Sequence, residues 1–259
     1  MTSLHNPSKS NTHWCLRAFA VLIIGCPVLA QQAPVTPALT ADEVMANVIR
    51  MNEVRAKALE SYSSVRSYSL ECHCLSHKKA DMVVRADYHA PDTKTFTIVS
   101  ESGSGTVRSK VFKKLLEAEQ ESMREENQER SAITPENYTF KVVDHQITEQ
   151  NEFYVLEAEP KTKNKFLFRG KIWVDVADFA VTRVEGQPAV NPSWWTLRTE
   201  FKRSYQKVGD FWLPASNESE TKVRLFGTAN LCIEYGQYEI TRSDAVRTIS
   251  SNETPATQK

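Results

Sequence analysis

Glycine is scarce, with 8 residues in a chain of 259, and nowhere is it gathered into a loop that would cradle a phosphate. No G-x-S-x-G and no H-E-x-x-H occurs, which excludes a nucleophile elbow and a zincin helix. Charge of either sign is not in excess: 32 basic residues balance 32 acidic ones. Residues 1–30 hold two of the basic residues, Lys9 and Arg17, and no acidic one, so the remainder stands at 30 against 32. There is no basic field for nucleic acid. Five cysteines leave three beyond residue 30, namely Cys72, Cys74 and Cys232, and an odd count argues against a disulfide framework in an exported chain. The six histidines, at 5, 13, 73, 77, 89 and 145, form no motif. No cofactor is implied, and no catalytic constellation is visible.

What is present begins with an address. Lys9 and Arg17 precede the short apolar run Ala18–Ile24, followed by Gly25-Cys26-Pro27-Val28-Leu29-Ala30 and the polar pair Gln31-Gln32. This reads as a secretory signal peptide over residues 1–30, too short to span a bilayer as a mature helix, cleaved near Ala30. The product is periplasmic or secreted. Ile23-Ile24-Gly25-Cys26 offers the alternative of a lipobox, with Cys26 anchoring the same domain to a membrane. Residues 31–40, with Pro34 and Pro37, form a linker.

A mainly β, α+β domain is expected over residues 41–242. Thr40-Ala41-Asp42-Glu43 is a capping box, and Val44, Val48, Met51 and Ala58 mark one face of an amphipathic helix ending near Leu59. Alternating segments follow at Tyr68–Ser76, Met82–Tyr88 and Thr95–Val99, an antiparallel meander. Gly103 and Gly105 break it, and a second helix starts near Thr106 with Val107, Val111, Leu115 and Ala118 as its stripe. Glu119 to Arg130 has almost nothing apolar to bury and is expected to project into solvent as the most mobile ordered segment. Further strands follow, centred on a hairpin from Phe166 to Gly186, and about eleven are expected in all. Phe166, Phe168, Ile172 and Val174 share one face of that hairpin; Leu167, Arg169, Lys171 and Trp173 share the other. Residues 243–259 are polar, without periodicity, and read as a disordered tail.

Cys72-His73-Cys74 holds ligand-type residues, but on a strand His73 points away from both cysteines, so the three cannot converge on a metal. No metal site is expected. Cys72 and Cys74 are expected to be reduced and inward, Cys232 outward and the most reactive thiol. Asp175 and Asp178 belong to a hairpin connection, where turn chemistry explains them better than a catalytic carboxylate pair.

The order of elements, with Gly170-Lys171-Ile172-Trp173-Val174-Asp175, Val181-Thr182-Arg183-Val184 and Tyr205-Gln206-Lys207-Val208-Gly209-Asp210-Phe211-Trp212-Leu213-Pro214, resembles the superfamily of periplasmic lipoprotein carriers and outer-membrane lipoprotein receptors (LolA- and LolB-like). The resemblance covers residues 41–242 and is topological, so no functional residue is carried over from it. It implies a curved antiparallel sheet, a half-open barrel, with the N-terminal and inserted helices covering its concave face. It also implies a non-enzymatic monomer whose partners are a lipid or an acylated lipoprotein, and an envelope membrane protein. On the residues' own evidence, Phe96, Phe140, Tyr154, Phe168, Trp195 and Phe201 fall on inward faces and are the candidates to line an acyl-chain cavity. Trp173, Trp194 and Trp212 fall on the opposite registers, where an outer patch can meet a partner. The alternative to a carrier is an envelope sensor or interaction domain on the same fold, without a lipid.

Overall fold

The computed structural model describes residues 39–73, 77–191, 194, 196–224 and 227–243. The expected leader, the linker up to residue 38, the tail beyond Ser243, Cys74 and Trp195 therefore lie outside the described residues.

Helix α1 runs Ala41–Ala58 and opens on the capping box. The Thr40 hydroxyl accepts from the Glu43 backbone N–H at 3.3 Å, and the Glu43 carboxylate accepts from the Thr40 N–H at 2.8 Å. Strands β1 (Leu59–His73), β2 (Lys78–His89) and β3 (Thr93–Gly103) form the meander. The inserted arm is α2 (Gly105–Val107), a π-helical stretch Arg108–Phe112, α3 (Lys113–Ser122) and α4 (Glu125–Ser131). Then come β4 (Tyr138–Ile147), β5 (Glu152–Pro160), β6 (Phe168–Asp175), β7 (Ala180–Pro188), β8 (Thr196–Val208), β9 (Phe211–Val223) and β10 (Gly227–Arg242). All pairings are antiparallel in one unclosed sheet of ten strands, ordered β3-β2-β1-β10-β9-β8-β7-β6-β5-β4. The β1–β10 pairing joins the meander to the C-terminal strands, and β3 and β4 are left as the edges.

Three details differ from expectation. Strand β1 starts at Leu59, directly on the last turn of α1, rather than near Tyr68. Residues Phe211–Val223 form one uninterrupted strand, and the sheet has ten strands where about eleven are expected. Pro214 sits inside that strand because β10 pairs with β9 only as far as Glu234 opposite Ser216, so no ladder bond needs the N–H that proline lacks. Finally, Leu167 is buried instead of facing outward. Strand β6 begins only at Phe168, and the Leu167 N–H bonds the Asn164 carbonyl in a turn, so the strict alternation does not yet apply.

Register assigns the faces. Met82, Tyr68, Ile233, Asn217, Arg203, Val184, Ile172, Leu156 and Val142 stand opposite one another in turn across nine strands, on the side that carries the helices. The next row lies on the helix-free side. There Glu218, Lys202, Glu185, Lys171, Glu157 and Lys141 alternate in sign from β9 to β4. Opposite charges directly across a ladder favour this pairing, and a one-residue slip would move the row into the apolar face. Gly170 faces Gly186 one step beyond the charged row; a Cβ on Gly170 would lie 1.9 Å from the Glu185 carbonyl oxygen, so only glycine allows the backbone to close in here.

Candidate functional site

Two helix-to-sheet contacts define the covered face, and they are built differently. Under α1, Val44, Met45 and Val48 are fully buried against Leu156, Ala158, Ile172, Val174 and Val184. Met45 takes the place expected of Met51, which is half-buried. The end of α1 is tied down as well: the Arg55 guanidinium donates to the Asp178 carbonyl in the β6–β7 turn. In that turn Asp175 accepts from the Asp178 N–H at 2.7 Å, and Asp178 holds Lys207 at 2.6 Å and the Trp212 indole N–H at 2.9 Å. The Asp175 carboxylate serves turn chemistry, as expected, while that of Asp178 ties the turn to Lys207 and Trp212 beyond it.

The arm covers the other half of the sheet. Val107, Phe112 and Leu116 pack on Tyr68, Leu70, Ala80, Met82, Val84 and Ile233. At the margin of this cluster lies a charged group. Arg66 projects from β1 on the inward register of Tyr62, Ser64, Tyr68 and Leu70, and its side chain is fully buried. Its Nη1 donates to both oxygens of Glu119 on α3, each at 2.9 Å. Lys94 of β3 reaches the same carboxylate at 2.6 Å. The guanidinium carbon lies 4.8 Å from the Tyr235 ring centre and 5.5 Å from that of Phe96, and Nη2 has no hydrogen-bond partner among the described residues. Burial opposes the charge on Arg66, but the Glu119 carboxylate and its hydrogen bonds outweigh it and hold the guanidinium above its usual range. Burial likewise raises the Glu119 carboxyl, but Lys94 and Arg66 together bring it below the ordinary carboxylate value. Tyr235, buried beside Glu119, is raised.

The segment beyond Ala118 is therefore not a free solvated helix. Glu119 is its anchor, and the chain breaks at Met123–Arg124 before α4. Asn127 is buried, with its amide donating to the Glu121 carbonyl at 2.9 Å. Asn137 donates to Glu129, and Asn164 to Arg130, at their carbonyls. A polar run can be held by side-chain to backbone bonds where it has no apolar stripe. The sequence carried one signal of this. An arginine at an inward strand position requires a counter-charge, but it is visible only once β1 is extended back to Leu59.

The aromatic candidates separate. Phe140, Tyr154, Phe168 and Phe201 meet in the cluster under α1, whereas Phe96 belongs to the cluster under the arm. Tyr154 and Phe168 are 7% exposed; Phe96, Phe140 and Phe201 are half-buried. Phe168 stands edge-on to Phe201 with ring centres 5.8 Å apart, and the Phe168 N–H donates to the Tyr138 hydroxyl at 3.2 Å. Of the outward tryptophans, Trp173 stacks under Arg183 and Trp212 is held by Asp178, while Trp194 is 70% exposed.

Two pockets stand out among the described residues, and neither is lined by a helix. One, of about 210 Å³, lies by Val208, Phe211, Tyr238 and Ile240. The other, about 810 Å³, is a groove on the helix-free face, bordered by Lys171, Glu185, Lys202, Glu218 and Cys232. The cysteines depart from expectation here. Cys72 is disulfide-bonded rather than reduced, and it is half-buried. Cys232 is free and outward, but burial, with Glu234 and Glu218 nearby, pushes its thiol up and reduces its thiolate character. The raised thiol makes Cys232 a weaker nucleophile than an ordinary cysteine, but with Cys72 held in a disulfide it is the free cysteine among the described residues. The histidine of Cys72-His73-Cys74 does lie on the opposite face from Cys72, and it joins Glu71 and His77 instead.

No family model and no curated protein matches the chain. Structural neighbours exist at low sequence identity. An outer membrane lipoprotein-sorting assignment attaches to a domain from Vibrio parahaemolyticus that is 12% identical, with 77% of this chain and 93% of that one covered and a TM-score of 0.41. A DUF1329 family protein from Desulfovibrio piger is 12% identical over 81% of this chain and 97% of its own, with a TM-score of 0.39. A LolA superfamily protein from Nitrosomonas europaea is 10% identical over the same shares, 81% and 97%, with a TM-score of 0.36. These likenesses concern the course of the chain, and nothing is transferred from them: the protein has a mainly β fold built on one unclosed ten-stranded antiparallel sheet.

Proposed function

We propose that this protein is an exported, periplasmic carrier that holds the acyl chain of a lipid or lipoprotein against the helix-covered face of the sheet. The half-buried Phe96, Phe140 and Phe201 would touch the chain, with Tyr154 and Phe168 packed behind them. Trp195 is a further candidate on the same sequence pattern. The observation that carries the reading is the mixed attachment of the arm. Its apolar cluster is small, and a carboxylate shared by Arg66 and Lys94 completes the contact. An arm held in this way can lift without dismantling the core under α1, and lifting it uncovers Tyr68, Phe96 and Tyr235 for one stretch of an acyl chain, worth about 0.8 kcal/mol per buried methylene.

The test is titration of the full chain with a fluorescent fatty acid. Saturable binding is expected, weakened at least tenfold by Phe201→Ser and strengthened by Glu119→Ala, which frees the arm. A second reading, an interaction domain without a lipid, is favoured by two features. No helix residue lines either pocket, and both edge strands expose apolar side chains, Ile98 and Val99 on β3, Val143 and Ile147 on β4. Absence of probe binding in both the wild type and Glu119→Ala would reject the carrier and leave that second reading.

A further inference from the structure

At the tip of the β1–β2 hairpin, on the helix-free face, Glu71, His73 and His77 bring one donor atom each within 4.8 Å of the others. Local geometry explains the meeting. Glu71 and His73 are two apart on one strand and so share a face. The β1–β2 ladder runs to Cys72 opposite Lys78, which sets His77 across from His73 one step nearer the turn. Their rings lie 5.3 Å apart, and His77 Nε2 is already 3.1 Å from a Glu71 carboxylate oxygen. Both imidazoles are exposed and Glu71 is half-buried, so small rotamer changes can close the set. Bonds of about 2.1 Å in a tetrahedron require donor atoms about 3.4 Å apart, a contraction within reach of solvated side chains on a fixed backbone.

We propose that Glu71, His73 and His77 bind a divalent transition-metal ion of the zinc class. Two imidazoles and one carboxylate suit such an ion rather than calcium or magnesium, which take oxygen donors. Three protein ligands leave a coordination position open to solvent. The charge around the site is mixed. Lys79 stands opposite Glu71 on β2, while on the other side the row continues through Asn230 to the like-charged pair Glu220 and Glu200 in the wall of the groove. A dication next to Glu71 relieves part of that acidic excess. The carboxylate is the anchor, because it is the least exposed of the three and lines the groove itself.

The experiment is calorimetric titration of the tag-free full chain with Zn²⁺, and absorption spectroscopy with Co²⁺ as the reporter of geometry. One ion per chain is expected, with tetrahedral-type Co²⁺ bands. His73→Ala, His77→Ala and Glu71→Gln should each lower affinity at least tenfold. His89→Ala, His145→Ala and Cys232→Ser should leave it unchanged. The substituted side chains are surface groups, and an unshifted thermal transition in the apo variants confirms that any loss is local. Binding that survives the His73→Ala,His77→Ala double variant, or that is abolished by His145→Ala or Cys232→Ser, would overturn the assignment. So would the absence of Co²⁺ bands in the wild type.

Discussion

The two halves of the covered face rest on different physics. Under α1 the contact is wholly apolar at its centre, with Val44, Met45 and Val48 pressed on Leu156, Ile172 and Val174. Under the arm an apolar cluster shares the work with Glu119, which is suspended between Arg66 and Lys94. Apolar burial is indifferent to pH, and losing one of its members costs the whole fold's stability rather than releasing one element. A buried charge group depends on each member, because removing one leaves the others desolvated and uncompensated. The α1 side is therefore the permanent part of the fold and the arm the conditional part.

The sharpest break in that comparison comes from Phe168→Ser. Phe168 packs against Tyr138 and Phe201 under the α1 cluster, so the substitution should cost about 3–5 kcal/mol and lower the midpoint of the whole unfolding transition. A midpoint close to wild type would mean that Phe168 lines open space instead of core.

Next in size is Glu119→Ala. Glu119 keeps 28% of its side chain exposed, so the cost should be at the low end for a broken buried pair, about 2–3 kcal/mol, and confined to the arm. Amide exchange over residues 105–131 should quicken while α1 and β6 stay protected. Equal acceleration in α1 would show that the two halves are one cooperative unit. Acid offers the same test without mutation. The Glu119 carboxyl is lowered in the fold, so its contribution is fully present above the unfolded value of 4.5 and is lost as pH falls through the lower folded value. After correction for intrinsic rates, arm amides should lose protection in that acidic window before α1 amides do.

The smallest effect belongs to Thr40→Ala, which removes the cap from α1 and should cost about 1 kcal/mol. In a domain of this size that is a fall of about 2–4 °C in the thermal midpoint, with exchange in the arm unchanged.

Local chemistry made much of this legible beforehand. The Thr40–Glu43 box, the alternation of Phe168, Ile172 and Val174, the Asp175 turn and the outward placing of His73 all depend on near neighbours and on periods of two or 3.6. Glu119 was misread because a run of charges and amides looks solvated wherever its partners lie far along the chain, here 53 residues away at Arg66. Leu167 was misread because strand alternation was extended two residues into a turn. The exposed row of alternating lysines and glutamates could not be seen at all. It exists only after β9 to β4 are set side by side in register.

By itself, then, the sequence determined the kind of most elements, the faces of their central residues and several of their caps and turns, since those follow from interactions within a few residues. Only the tertiary structure decided which distant charges neutralise one another and where. It brought Glu119 to Arg66 and Lys94, and His77 to Glu71 and His73, because pairing between strands and the docking of an inserted arm are contacts whose register no local pattern encodes.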